Sequence, residues 1–280
     1  PTNTFQILPT IESKFEELPS ETLNWIDESG SLFGVVHGDP ANVLVPSLIE
    51  ELTAKTSGFL VGGLTSSRTQ SYQVADQVTS GGLSGVMFSP SLEVVTCLSQ
   101  GCVPLEGSHL ISDCIDNIVI GLDGRAALEV FKEDIGEELV ADLAQVPGLV
   151  HAALPIEGSD TGDYLVRPLV GIDDERGWLA IGEHVETGQR IFFVRRDPLS
   201  AEIDMRNRLE NLKKRFGKKP RAALYYTCVG RGPSMFGIEG HELSIIEDVF
   251  SDVPLIGFFG NGEISYNRLY GYTGVLTLIA

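Results

Sequence analysis

Two short segments of this 280-residue chain collect side chains that could do chemistry: Cys228-Val229-Gly230-Arg231-Gly232 and Asn261-Gly262-Glu263. The first supplies a thiol and a guanidinium, the second an amide and a carboxylate. Their glycines allow backbone N–H groups to approach an anion closely. Arg231 could grip a carboxylate through two parallel hydrogen bonds. Glu263 could accept from an ammonium group, and Asn261 can donate and accept at once. The set suits a zwitterion such as an amino acid. The same residues leave a plainer outcome open, in which Arg231 and Glu263 pair with each other as a structural salt bridge. Cys228 offers a different chemistry. Beside Arg231 and oriented amides its thiol would titrate low and act as a nucleophile, giving a cysteine-dependent hydrolase or acyltransferase. That chemistry needs a nearby imidazole, for which His37 is the first candidate and His241 the second. Against it stands the burial habit of free cysteine, which makes Cys228 a packed thiol.

Each segment ends a short apolar run, 222–227 and 254–256, with a helix-sized stretch between them. A strand–helix–strand crossover places both strand ends on one side of a parallel sheet, where ligands bind. The first half repeats the order. A strand at 32–37 leads through Gly38-Asp39 to a helix with Val45, Leu48, Ile49 and Leu52 on one face, then a strand at 59–61 and Gly62-Gly63. A further strand follows in each half, at 85–88 and at 274–277. This reads as a duplication about a pseudo-two-fold axis, with both sets of glycine loops facing a shared cleft. The expected fold is therefore α/β, with two related halves, mixed sheets and strand–helix–strand units around a central cleft. The halves are taken as domains 1–150 and 151–280.

Other elements follow from local signals. Residues 1–30 show only a short helix near 12–18. Strands at 85–89 and 94–98 read as a hairpin across Pro90-Ser91. Asp123 is placed to cap a helix starting near Arg125, broken at Gly136. Alternating runs at 150–154, 164–171, 178–181 and 189–195 predict antiparallel strands. The helix from Asp197 to about 216 has a poor apolar face through Ile203, Arg206, Asn207 and Glu210, and is expected at the surface. The acidic turn Asp160-Thr161-Gly162-Asp163 lacks the calcium-loop pattern.

The formal charge of −19 opposes binding to nucleic-acid phosphates. The basic stretch 206–219 reads as one solvated helix face. No apolar run approaches the roughly 20 residues of a membrane span, and no signal segment opens the chain. It also starts without Met, as a trimmed piece would. The four cysteines form no C-x-x-C pair, so reduced thiols and a cytoplasmic location are expected. Gly230-x-Gly232 is not a dinucleotide fingerprint, because Met235 stands where a third glycine is needed. No cofactor or metal is expected.

Taken together, Cys228-Val229-Gly230-Arg231-Gly232, Val253-Pro254-Leu255, the run from Gly257 through Gly260-Asn261-Gly262-Glu263-Ile264, and the closing strand 274–279 resemble the C-terminal domain of the FIST family. Gly38-Asp39-Pro40, Val61-Gly62-Gly63, Gly101-Cys102-Val103-Pro104 and the stretch Leu122-Asp123-Gly124-Arg125-Ala126-Ala127-Leu128 are similar to its N-terminal domain, whose opening portion would lie upstream of Pro1. The resemblance runs from about Leu32 to the end. It implies a sensory domain in intracellular signal transduction that binds small ligands, with amino acids as the class, and no defined enzymatic activity. A separate signalling protein would then carry the output.

Overall fold

A computed structural model describes residues 4–156 and 163–280; Asp160, Thr161 and Gly162 of the acidic turn lie outside the described residues. In chain order the elements are β1 (Phe5–Ile11), α1 (Ser20–Ser29), β2 (Phe33–Gly38), α2 (Val45–Thr56), β3 (Phe59–Leu64), the small hairpin β4 (Gln73–Ala75) and β5 (Gln77–Thr79), β6 (Leu83–Phe88) and β7 (Val94–Gln100). Then come β8 (Cys102–Pro104), β9 (His109–Ile115), β10 (Ile118–Leu122), β11 (Arg125–Ala126), α3 (Ala127–Val140), β12 (Val150–Pro155), β13 (Tyr164–Asp173), β14 (Trp178–Ile181) and β15 (Arg190–Arg196). The chain closes with α4 (Pro198–Phe216), β16 (Ala222–Cys228), α5 (Gly232–Phe236), α6 (His241–Val249), β17 (Leu255–Gly260), β18 (Glu263–Tyr266), β19 (Arg268–Tyr270) and β20 (Thr273–Ile279). The protein is a mixed α/β fold that divides into two compact units, one of residues 1–100 with 201–280 and one of residues 101–200.

The first unit is a four-layer stack. One sheet runs β1-β6-β2-β3-β18-β19 and the other β17-β16-β20-β7. Phe33, Val61, Tyr226 and Val275 fill the space between the sheets. Leu48, Ile49 and Leu52 of α2 and Ile26 of α1 cover the outer face of the first sheet. Met205, Leu209 and Leu212 of α4, with Ile245 and Ile246 of α6, cover that of the second. Each sheet thus buries both faces, which explains why strands such as Phe59–Leu64 read as continuous apolar runs.

The duplication is visible as topology. In the first copy the spatial order is β1-β6-β2-β3, with β2 and β3 parallel and the outer pairs antiparallel. In the second it is β7-β20-β16-β17, with the same senses. Val36 stands between Gly62 and Gly85 as Tyr225 stands between Gly257 and Leu276. The equivalent glycines do the same work: a Cβ at Gly62 would lie 1.8 Å from the Val36 carbonyl oxygen, and one at Gly257 would lie 1.6 Å from that of Tyr225. Both contacts are with backbone, so relief requires the strands to separate. Either glycine changed to Ala is expected to cost about 1–3 kcal/mol, read as a lower urea midpoint at unchanged m-value; an unshifted midpoint would show that the ladder yields freely.

Several local expectations change in three dimensions. The segment 5–11 is strand β1, hidden in the sequence by Pro9; a register shift between Leu8 and Ile11 accommodates it. The strands at 83–88 and 94–100 do not form a hairpin. They are the last strand of one copy and the first of the next, and they join different sheets. Helix α4 buries Ala201, Met205, Leu209, Leu212 and Phe216, a stripe one position off the face through Ile203. The basic stretch it carries is met by acids, with Arg206 on Glu202 and Asp248 and Arg208 on Asp204.

The second unit holds an eight-stranded antiparallel sheet, β11-β10-β14-β13-β12-β15-β8, with β9 pairing β10 and β15. The four strands expected between 150 and 195 are β12 to β15. Helix α3 packs Leu128, Phe131 and Ile135 against Ile111, Leu179 and Phe193, and Gly136 at φ 78° interrupts it as expected. Asp123 does not cap this helix. Its own φ is +52°, and its carboxylate accepts from the Leu110 N–H and bonds His109, whose other ring nitrogen meets Asp134.

Candidate functional site

Gly62-Gly63 of the first half and Asn261-Gly262-Glu263 of the second do meet, but they close on each other rather than line a hollow. Leu64 N–H donates to the Gly262 carbonyl and Asn261 N–H to that of Leu64. Glu263 lies opposite Gly63 in the β3–β18 ladder. A Cβ at Gly63 would stand 2.9 Å from the Gly262 oxygen. The glycines let two backbones zip together, so the hairpin after β17 becomes the edge of the first copy's sheet. Among the described residues these loops pair through their backbones, and the central cleft expected between the halves is not seen.

The fate of each candidate side chain follows. Asn261 is exposed and its amide donates to the Thr65 carbonyl. Asp39 is spent locally, its carboxylate accepting from the N–H groups of Ala41 and Gly81, while Gly38 packs beside Leu64 and Val45. Glu263 is fully buried. One oxygen receives the Thr273 hydroxyl and N–H, and the other has no hydrogen-bond partner among the described residues. Burial pushes its carboxyl up to about 8, against the pull of Thr273 and Arg231. Arg231 is also fully buried, and its partner is Glu242 rather than Glu263.

Glu242 is the acid that the sequence reading missed. It sits in the first turn of α6, where its Oε1 receives Arg231 Nε and the Tyr225 hydroxyl, each at 2.7 Å. Thr227 Oγ1 reaches its Oε2 at 3.0 Å. Arg231 Nη2 lies 3.9 Å from Met205 Sδ, the guanidinium faces the Phe236 ring at 5.6 Å, and Nη1 has no hydrogen-bond partner among the described residues. Burial, then the neighbouring Glu242, drives the Tyr225 phenol well above its ordinary range, so it stays a donor. The signal available in the sequence was the alternation Tyr225-x-Thr227, which turns both hydroxyls to one face of β16.

This network forms the floor of a pocket of about 350 Å3. Thr227 and Glu242 supply its polar base; Phe236, Ile238, Leu243 and Leu255 through Phe259 supply apolar walls, with Gly232 and His241 at the side. Of the residues singled out in the sequence, Gly232 and His241 line it and Arg231 braces it through Glu242. Gly240 precedes α6 without any side-chain cap. The first intrahelical bond there is Ser244 N–H to Gly240 O, so the N–H groups of His241, Glu242 and Leu243 lie ahead of it. His241 Nε2 bonds Glu202 at 2.9 Å.

Cys228 is not set up as a nucleophile. Burial, then the nearby Glu263, pushes its thiol up to about 11, opposite to the lowering that Arg231 alone would give. Its sulfur receives the Gly230 N–H at 3.4 Å. His37 stands 3.5 Å from the Tyr226 hydroxyl and packs edge-on against Tyr226 and Phe258, and burial lowers its pKa. Neither imidazole named from the sequence bonds the thiol.

Comparison with known proteins agrees with this reading of the motifs. Residues 3–125 match the model of the FIST N domain and residues 127–266 that of the FIST C domain. An uncharacterized protein of Mycobacterium tuberculosis strain H37Rv is 34% identical over 251 residues, covering 85% of this chain and 64% of its own length. An uncharacterized protein of Mycobacterium bovis is 32% identical over the same span and shares. The chain thus spans just under two thirds of the curated relatives it matches.

Proposed function

The chain belongs to the FIST family, whose domains are sensory domains of signal transduction, and we propose that it senses a small metabolite, an amino acid with an apolar side chain or a close relative, in the pocket above Glu242. The observation that carries the reading is that pocket. Its volume of about 350 Å3 suits a ligand of that size, and its mostly apolar lining with a few convergent polar groups is typical of small-molecule sites. In this reading the ligand ammonium meets Glu242 Oε2. Its carboxylate meets the leading N–H groups of α6, where the helix dipole favours negative charge. The side chain lies against Phe236, Ile238 and Phe259. Arg231 holds Glu242 in place rather than touching the ligand. A separate signalling protein would read the bound state.

Isothermal titration against the twenty amino acids tests this. Apolar members are expected to release heat, and Ile238→Trp, which places an indole in the mouth of the pocket, is expected to weaken binding by at least about tenfold. Ile238 is 65% exposed, so the variant keeps its fold. Absence of heat from all twenty, or equal affinity in the variant, would overturn the assignment.

A further inference from the structure

The two copies of the repeated fold differ at one edge. On β3, Tyr266 and Ile264 of β18 pair opposite Leu60 and Gly62, and Gly262 accepts from Leu64. Leu269 of the return strand packs into the core under α2. The equivalent edge in the second copy is β17. Ala223 N–H donates to Pro254 O and Val229 N–H to Gly260 O. A parallel ladder alternates, so residues 254, 256, 258 and 260 bond β16. Leu255 and Gly257 therefore turn their N–H and C=O groups outward, and among the described residues no strand pairs with them. Phe259, the next outward residue, offers its carbonyl to Ser66 Oγ.

Natural sheet edges are blunted by charge, proline or bulges. This one is not. Residues 253–262 carry no charged side chain, Pro254 lies ahead of the strand, and the register with β16 is unbroken. Ile256 stands 72% exposed in the middle of it.

We propose that β17 pairs antiparallel with β17 of a second copy of this chain, about a two-fold axis through Ile256. The outward residues flank Ile256 evenly. Across the axis Leu255 of each protomer faces Gly257 of its partner, and each such pair exchanges two N–H···O bonds. Ile256 meets its own symmetry mate in the close, non-hydrogen-bonded position, where Cα atoms stand about 4.5 Å apart. The edge is thus self-complementary in its hydrogen bonds, and its lack of charge spares it the like-charge repulsion that a −19 protein would meet elsewhere on its surface. The contact is isologous and closes at two copies. It continues the sheet across the dimer as β18 continues the sheet beyond β3.

Sedimentation velocity at micromolar concentration is expected to give a species of twice 30.3 kDa. Ile256→Lys sets two ammonium groups against each other and is expected to give a monomer with an unchanged circular dichroism spectrum. Val43→Lys, at an 86% exposed site in the first copy, is expected to remain dimeric. Ile256→Cys should cross-link on mild oxidation and run as a covalent dimer on a non-reducing gel, since the Cα separation falls within disulfide range. A wild-type monomer at every concentration overturns the proposal, as does one that gains mass only with a different protein, or an Ile256→Lys variant that stays dimeric. None of these readouts involves an amino acid, so this proposal and the ligand assignment fail separately.

Discussion

Arg231→Ala is expected to lower the free energy of unfolding by about 3–5 kcal/mol, because it strands a buried carboxylate without its counter-charge. Arg231 is 0% exposed and Glu242 nearly so. The Tyr225 and Thr227 hydroxyls alone would then have to hold Glu242. Arg231→Met with Glu242→Leu removes both charges at similar volume and is expected to recover much of the loss, since apolar replacement of a buried ion pair is often neutral or better. Urea denaturation of the wild type and both variants decides the matter. A single-variant loss below about 1 kcal/mol would mean that the Arg231–Glu242 pair carries little of the native stability. The same double variant tests the pocket independently of folding. If the ligand ammonium meets Glu242, the variant folds and does not bind amino acids.

Much of the fold was legible because the parts that carry it are short-range. The helix at Val45, Leu48, Ile49 and Leu52 and the strands beside Gly62-Gly63 follow from periodicity and turn chemistry. The order of those parts exposed the repeat, and Gly62 and Gly257 prove to be equivalent positions, each admitting close approach of a neighbouring strand's carbonyl. What stayed hidden depends on partners distant in sequence. Strand β1 breaks at Pro9 and is identified only by pairing with β6, some 80 residues on. The strands β6 and β7 look like a hairpin because adjacency in sequence ordinarily implies pairing. The repeat boundary between them overrides that tendency. Insertion of residues 101–200 between the first and second strands of the later copy separates β7 from β20.

The site was half legible for the same reason. Arg231 and Glu263 were read as one pair because both stand in glycine-rich strand ends. The ladder between β3 and β18 turns Glu263 inward toward Thr273, and helix α6 presents Glu242 to Arg231 instead. An acid in the first turn of a helix is common for reasons of dipole alone, so nothing marked Glu242 as special until Tyr225 and Thr227 were seen facing it.

Glu263 carries the second large expectation, and it concerns pH. Its carboxyl titrates at about 8 in the native protein, against a reference value of 4.5. Between those values the native state holds a proton that the unfolded chain has released, so stability falls as pH rises across that window. The accumulated loss is on the order of 4 kcal/mol from pH 4.5 to 8, and above pH 8 this contribution is flat. Glu263→Gln keeps the shape and removes the titration. It is expected to leave stability at pH 5 within about 1 kcal/mol of wild type and to be more stable than wild type by most of that amount at pH 8.5. Urea midpoints of both proteins at half-unit pH steps measure the difference directly. Parallel curves for the two proteins would mean that Glu263 ionises near its ordinary value, with the nearby Arg231, whose Nη1 has no partner among the described residues, supplying the compensating charge.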